Sequence, residues 1–159
     1  MTAIPMPVAA GADIKTAYPL IGQLFSRHGF AEVDGTGFAA FAELPGHCLL
    51  LFTEDPIRYK ETMDLAVIVP ELARAFPGCF RVGVLLPEAA RELHARFGFR
   101  RWPAFVLLKN GAYVGAVDGL RNWDEYLAET QRLLAAEPTR PPSIGIAVRG
   151  PNDTTGCQG

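Results

Sequence analysis

Thiols are the most reactive side chains available to this 159-residue chain, and it has three: Cys48, Cys79 and Cys157. They are widely spaced, their number is odd, and no C-x-x-C occurs. That pattern supports neither a disulfide framework nor a zinc site. Cys48 opens the apolar run His47 to Thr53, and Cys79 precedes a second run, Phe80 to Leu86. Free cysteine is among the most often buried residue types, so both thiols read as buried and unreactive. His28, His47 and His94 lack metal-ligand spacing. Ser26 and Ser143 have no evident base partner, and no G-x-S-x-G, H-E-x-x-H or phosphate-cradling glycine loop is present. Glu54 and Asp55 are adjacent carboxylates, but such neighbours at a helix start serve as cap and dipole partners. The sequence therefore predicts no catalytic, cofactor-binding or metal-ligating set. Trp102 stands apart, either as core filling or as the kind of aromatic anchor enriched at protein interfaces.

The elements that would position these residues follow from punctuation and periodicity. Leu20, Ile21, Leu24 and Phe25 recur at helical spacing between Ala17 and Arg27. A short strand at Phe30 to Val33 and a helix at Gly37 to Leu44 follow. The run HCLLLFT, His47 to Thr53, reads as a strand buried on both faces. Asp55-Pro56 looks like an N-cap and first helical turn. It leads into a helix with Leu65, Val69, Leu72 and Phe76 on one stripe, which Pro70 must kink or split. Phe80 to Leu86 is the next strand, and Pro87 starts a helix with Ala89, Leu93 and Phe97 on one face. Ala104 to Leu108 and Ala112 to Val117 flank Asn110-Gly111, a strong hairpin signal. Asn122 and Glu125 form a capping pair for a last helix lined by Trp123, Tyr126, Leu127 and Leu134, with Trp123 expected in the core.

This order, β-α-β-α-β-α-β-β-α with an extra helix in front, implies an α/β fold: a mixed central β-sheet flanked by helices on both faces. The expected organisation is a flexible arm over residues 1–13, one domain over 14–136, and a disordered tail over 137–159, where Pro, Gly and Thr accumulate. The net charge of −2 excludes a basic footprint for nucleic acid or an anionic membrane. Neither a secretory signal nor an apolar run of membrane-spanning length is evident. The expected compartment is the cytoplasm.

The element order resembles thioredoxin, and the stretch FGFRRWPAFVLLKNGAYVGAVDGL sharpens the match. The resemblance implies that Pro103 is the cis-proline, Lys109-Asn110-Gly111 the hairpin turn and Gly119 the glycine after the last strand. It also exposes a departure. Where thioredoxins carry C-G-P-C, this chain has TEDPIRYKE, Thr53 to Glu61, and Leu51 stands at about the place of their buried acid. Thiol exchange needs a thiolate, and turnover needs two thiols.

Trp-Pro at the cis-proline loop, Thr-Glu-Asp-Pro in place of the cysteines, and the DLAVIVPEL helix resemble the thioredoxin-like hydrogenase expression proteins (the HyaE, HupG and HoxO group). That resemblance implies a non-enzymatic maturation chaperone for a membrane-bound [NiFe] hydrogenase. It would bind the small-subunit precursor, with its twin-arginine signal peptide, before export, and other hydrogenase accessory proteins are further expected partners. The peptide groove of the thioredoxin architecture would then be lined by Glu54, Asp55, Arg58, Tyr59, Trp102 and Pro103, with Glu61 and Asp64 at its rim. The alternative is a single-cysteine thiol-disulfide oxidoreductase using Cys48 or Cys79.

Overall fold

The computed structural model describes residues 13–142. The rest of the expected arm and tail, with Ser143 and Cys157, lies outside the described residues. The elements are α1 (Ile14–Ala17), α2 (Pro19–Ser26), β1 (Ala31–Glu32), α3 (Phe38–Ala42), β2 (His47–Phe52), α4 (Glu61–Ala75), β3 (Arg81–Leu85), α5 (Pro87–His94), β4 (Ala104–Lys109), β5 (Ala112–Asp118) and α6 (Trp123–Ala135). The five strands form one mixed sheet in the order β1-β3-β2-β4-β5. The pairs β1–β3 and β3–β2 are parallel; β2–β4 and β4–β5 are antiparallel.

The alternation along β2 explains both layers. Leu49 and Leu51 point into a core shared with Leu24 of α2, Leu65, Val69 and Leu72 of α4, and Tyr126 and Leu133 of α6. Cys48, Leu50 and Phe52 point the opposite way, into a core with Phe38 of α3, Ala90 and Leu93 of α5, Phe97 and Phe99. A strand central to the sheet is apolar at every position for this reason. At the Asn110-Gly111 turn both residues have positive φ, 50° and 85°. That is the demand of a type I′ hairpin, and it is why this dipeptide closes β4 onto β5. The turn is tied to the start of β2: Gly46 N–H donates to Asn110 Oδ1 at 2.7 Å, and Asn110 N–H to Gly46 O at 2.9 Å. The capping box of Asn122 and Glu125 is formed.

Three expectations are corrected and one is narrowed. The long helix does not begin at Asp55-Pro56. Asp55 closes a separate turn, in which its Oδ1 accepts from Ile57 N–H and its carbonyl from Arg58 and Tyr59 N–H, and α4 starts at Glu61. Of the two outcomes expected at Pro70, the split does not occur: α4 runs as one helix from Glu61 to Ala75 with Pro70 inside it. Trp123 is not core: it opens α6 before the buried stripe begins and is 41% exposed. Cys79 is not buried, because it sits in the exposed turn after Pro77-Gly78. The tail expected from residue 137 is also seated at its start, where Thr139 N–H donates to Tyr113 O at 2.8 Å.

Candidate protein-binding site

Register brings the expected groove residues together. Phe52 at the end of β2 pairs with Leu85 of β3 and with Ala104 of β4, and Ala104 pairs in turn with Asp118 of β5. The segments that follow β2, precede β4 and follow β5 therefore meet at one end of the sheet, along with the start of α5. The carboxyl ends of parallel strands are where open α/β sheets place ligands.

After β2, Thr53 is buried, with its hydroxyl donating to Leu85 O at 2.8 Å. Glu54 turns inward as well and is only 6% exposed. Its carboxylate accepts from Arg91 Nε at 3.1 and 3.0 Å, from the same guanidinium through Nη2, and from Asp55 N–H at 2.8 Å. That hydrogen bond to Glu54 holds the Arg91 guanidinium above its ordinary pKa. Glu54 does not line the groove as expected, since its charge is already committed inside the protein. Asp55 and Tyr59 are half-buried, and Arg58, Glu61 and Asp64 are exposed or partly so. The Arg58 guanidinium lies 5.7 Å from the Tyr59 ring centroid.

Before β4, the Trp102–Pro103 peptide is cis and Pro103 is buried. The half-buried Trp102 ring packs 4.9 Å from Phe99, 5.0 Å from His94 and 6.5 Å from Phe52, measured between centroids. His94 is fixed in turn by a 2.7 Å hydrogen bond between Nε2 and Phe99 O. Trp102 is thus a rigid aromatic surface with its inner side in the α3/α5 core. Gly119 N–H donates to Pro103 O at 3.1 Å and couples the loop after β5 to the proline loop. Gly119 has φ +74°, and a Cβ there would stand 2.9 Å from Arg101 Cδ, so glycine is the residue that fits.

No thiol belongs to this end of the sheet among the described residues. Cys48 is the second residue of β2 and Cys79 precedes β3, so both lie at the opposite end. Burial pushes the Cys48 thiol up to about 12 against a smaller opposing effect of Arg81, and it stays protonated near neutrality. The histidines offer no metal set: among the described residues, no three His, Cys, Asp or Glu side chains are grouped to hold an ion. Burial lowers the pKa of His28 and His47.

The sequence singles out neither Arg91, Leu120 nor Arg121, and Arg100-Arg101 reads there only as an internal pair that is no export signal. For the arginines beside the proline loop a signal was available, since Arg100 and Arg101 directly precede Trp-Pro and Leu120-Arg121 directly follow the matched glycine. For Arg91 there was none.

Comparison with known proteins agrees with this architecture. A mutant thioredoxin from Halobacterium salinarum superposes with a TM-score of 0.55 over 68% of this chain and 93% of its own, at 22% identity. The two share a fold. A hydrogenase expression/formation protein HoxO from Cupriavidus necator is 44% identical over 132 residues, covering 82% of each chain. HupG from Rhodobacter capsulatus, which carries the same description, is 33% identical over 83% of this chain and 96% of its own. The family model described as Hydrogenase-1 expression protein HyaE matches residues 20–126. By these matches the chain, a thioredoxin-like domain without the paired cysteines, belongs to the HyaE family of hydrogenase expression proteins.

Proposed function

We propose that this protein is a hydrogenase maturation chaperone. It binds the precursor of the small subunit in the cytoplasm, through its twin-arginine signal peptide, and performs no thiol chemistry. The hydrogenase role is supported by the descriptions of the relatives. One observation supports the mode of action: the turn from Asp55 to Tyr59 and the cis Trp102–Pro103 loop meet at one end of the sheet, where Glu54 is paired with Arg91 and no thiol lies among the described residues. Asp55, Glu61 and Asp64 offer carboxylates suited to guanidinium groups, which they can engage bidentately. Trp102 and Tyr59 offer faces that accept apolar and cationic groups alike.

Titration calorimetry with the purified precursor tests this reading. Trp102→Ala is expected to weaken binding by about fivefold or more, about 1 kcal/mol, as truncation of an interface anchor does. Charge reversal at Asp55 and Glu61 is expected mainly to slow association and flatten its salt dependence. A precursor without its signal peptide should bind poorly. Folded variants that bind the precursor like wild type would move the site elsewhere. The competing oxidoreductase reading needs a reactive thiol at the groove, and both described thiols lie at the other end of the sheet.

A further inference from the structure

Beside the proline loop is a second, oppositely charged feature. Arg100, Arg101, Asp118, Leu120, Arg121 and Glu125 line an open cavity of about 440 Å³. Its two carboxylates are already used by the backbone. Asp118 Oδ2 accepts from the main-chain N–H of Arg100 at 2.8 Å and of Arg101 at 3.1 Å. Glu125 Oε1 accepts from Asn122 N–H at 2.9 Å within the capping box. Arg121 is held by Asp118, through Nε to its carbonyl at 3.2 Å and more loosely to its carboxylate at 3.7 Å. The side chains of Arg100 and Arg101 have no ion-pair or hydrogen-bond partner among the described residues, and both are exposed. Two guanidinium groups without a partner among the described residues thus line a concave surface, with a third anchored beside them. One apolar side chain joins this lining: Leu120, which is 53% exposed.

We infer that this cavity is a docking site for an acidic segment of a partner protein. The occupant carries carboxylate side chains that engage Arg100 and Arg101, and an apolar side chain that covers Leu120. Guanidinium groups bind carboxylates in a planar, two-point manner, which makes arginine the suited residue. The exposed Leu120 favours a peptide over a free oxyanion, which would leave that side chain in water. The cavity neighbours the proline loop: Arg101 directly precedes Trp102, and its side chain lies over Gly119. The inference is independent of the signal-peptide reading, which assigns cationic ligands to the acidic side of the groove.

Fluorescence anisotropy with the full chain and a short fluorescein-labelled peptide rich in Glu and Leu tests it. Binding is expected to be at least about tenfold tighter than for the same peptide with Gln for Glu, and to weaken with added salt. An Arg100→Gln/Arg101→Gln variant is expected to lose about tenfold or more. It should fold, since the bonds to Asp118 come from the backbone amides at those positions. Arg132→Ala, which removes a surface guanidinium paired with Glu129 far along α6, should change nothing. Equal binding of the Glu and Gln peptides, or unchanged affinity in the double variant, would overturn the inference. So would inorganic phosphate that displaces the peptide at comparable concentration and matched ionic strength, because the cavity would then be a small-oxyanion site.

Discussion

Arg91 of α5 grips both carboxylate oxygens of Glu54, thirty-seven positions earlier in the chain, and in doing so fixes the loop that leaves β2. The pair is asymmetric: Glu54 is buried, whereas the Arg91 side chain is 53% exposed. Solvent at the arginine weakens the attraction, but the carboxylate would be costly to leave unpaired. Arg91→Ala is therefore expected to destabilise the fold by about 1–2 kcal/mol, and Glu54→Gln by a similar amount. Chemical denaturation of both variants and of the double variant measures the coupling. Additive losses would mean that the contact contributes nothing of its own.

Trp102 supports the core as well as the surface, so its removal has two readouts. Trp102→Ala should cost about 2–4 kcal/mol of stability, as large-to-small changes against packed rings do. Trp102→Phe should keep most of that stability. Comparing the two by calorimetry separates lost packing from lost binding.

The thiols should behave oppositely under alkylation. Iodoacetamide is expected to modify Cys79 in the native protein and to reach Cys48 only after unfolding, which peptide mass spectrometry can follow. Insulin reduction should stay at background with dithiol present. Turnover that vanishes in Cys79→Ser would restore the oxidoreductase reading.

Cys48 also gives alkaline instability. Its folded pKa is raised from 9.0 to about 12 by burial, so the folded state holds a proton that the unfolded state releases first. Its contribution is intact below pH 9 and is lost as pH rises toward 12. Burial raises Tyr113 and Tyr126 in the same sense. Cys48→Ala should cost stability at neutral pH, and the gap to wild type should narrow above about pH 9 by up to about 1.4 kcal/mol per pH unit.

Truncation should distinguish two parts of the tail. Removal of residues 143–159, whose sequence is poor in large apolar groups, is expected to leave the melting temperature unchanged. Removal from 138 onward also deletes the Thr139–Tyr113 hydrogen bond and should cost about 1 kcal/mol.

Features governed by local chemistry were legible in the sequence. The unbroken apolar run of β2, the Asn-Gly hairpin and the Asn122/Glu125 cap each need only neighbouring residues, and each formed where read. Features decided by distant partners were not. Glu54 and Asp55 are equivalent as a sequence pair, and only Arg91 on another helix determines which turns inward. Asp55-Pro56 has the chemistry of a helix start, yet Asp55 spends it on a single turn. Trp123 carries the composition of a core residue, but its place at the first position of α6 leaves it outside. The arginine cavity exists only once β4 and β5 pair, which brings Arg100 beside Asp118.

The bond between Thr139 and Tyr113 has a consequence for self-association. β5 is an outermost strand, and the unpaired backbone of such a strand is a template on which another chain can add by β-pairing. Chain beyond α6 folds back and occupies one acceptor of that template. The opposite margin of the sheet is β1, only two residues long, too short to seed extended pairing. Edge-to-edge pairing is thus restricted at both margins, by one occupied acceptor on β5 and by the shortness of β1.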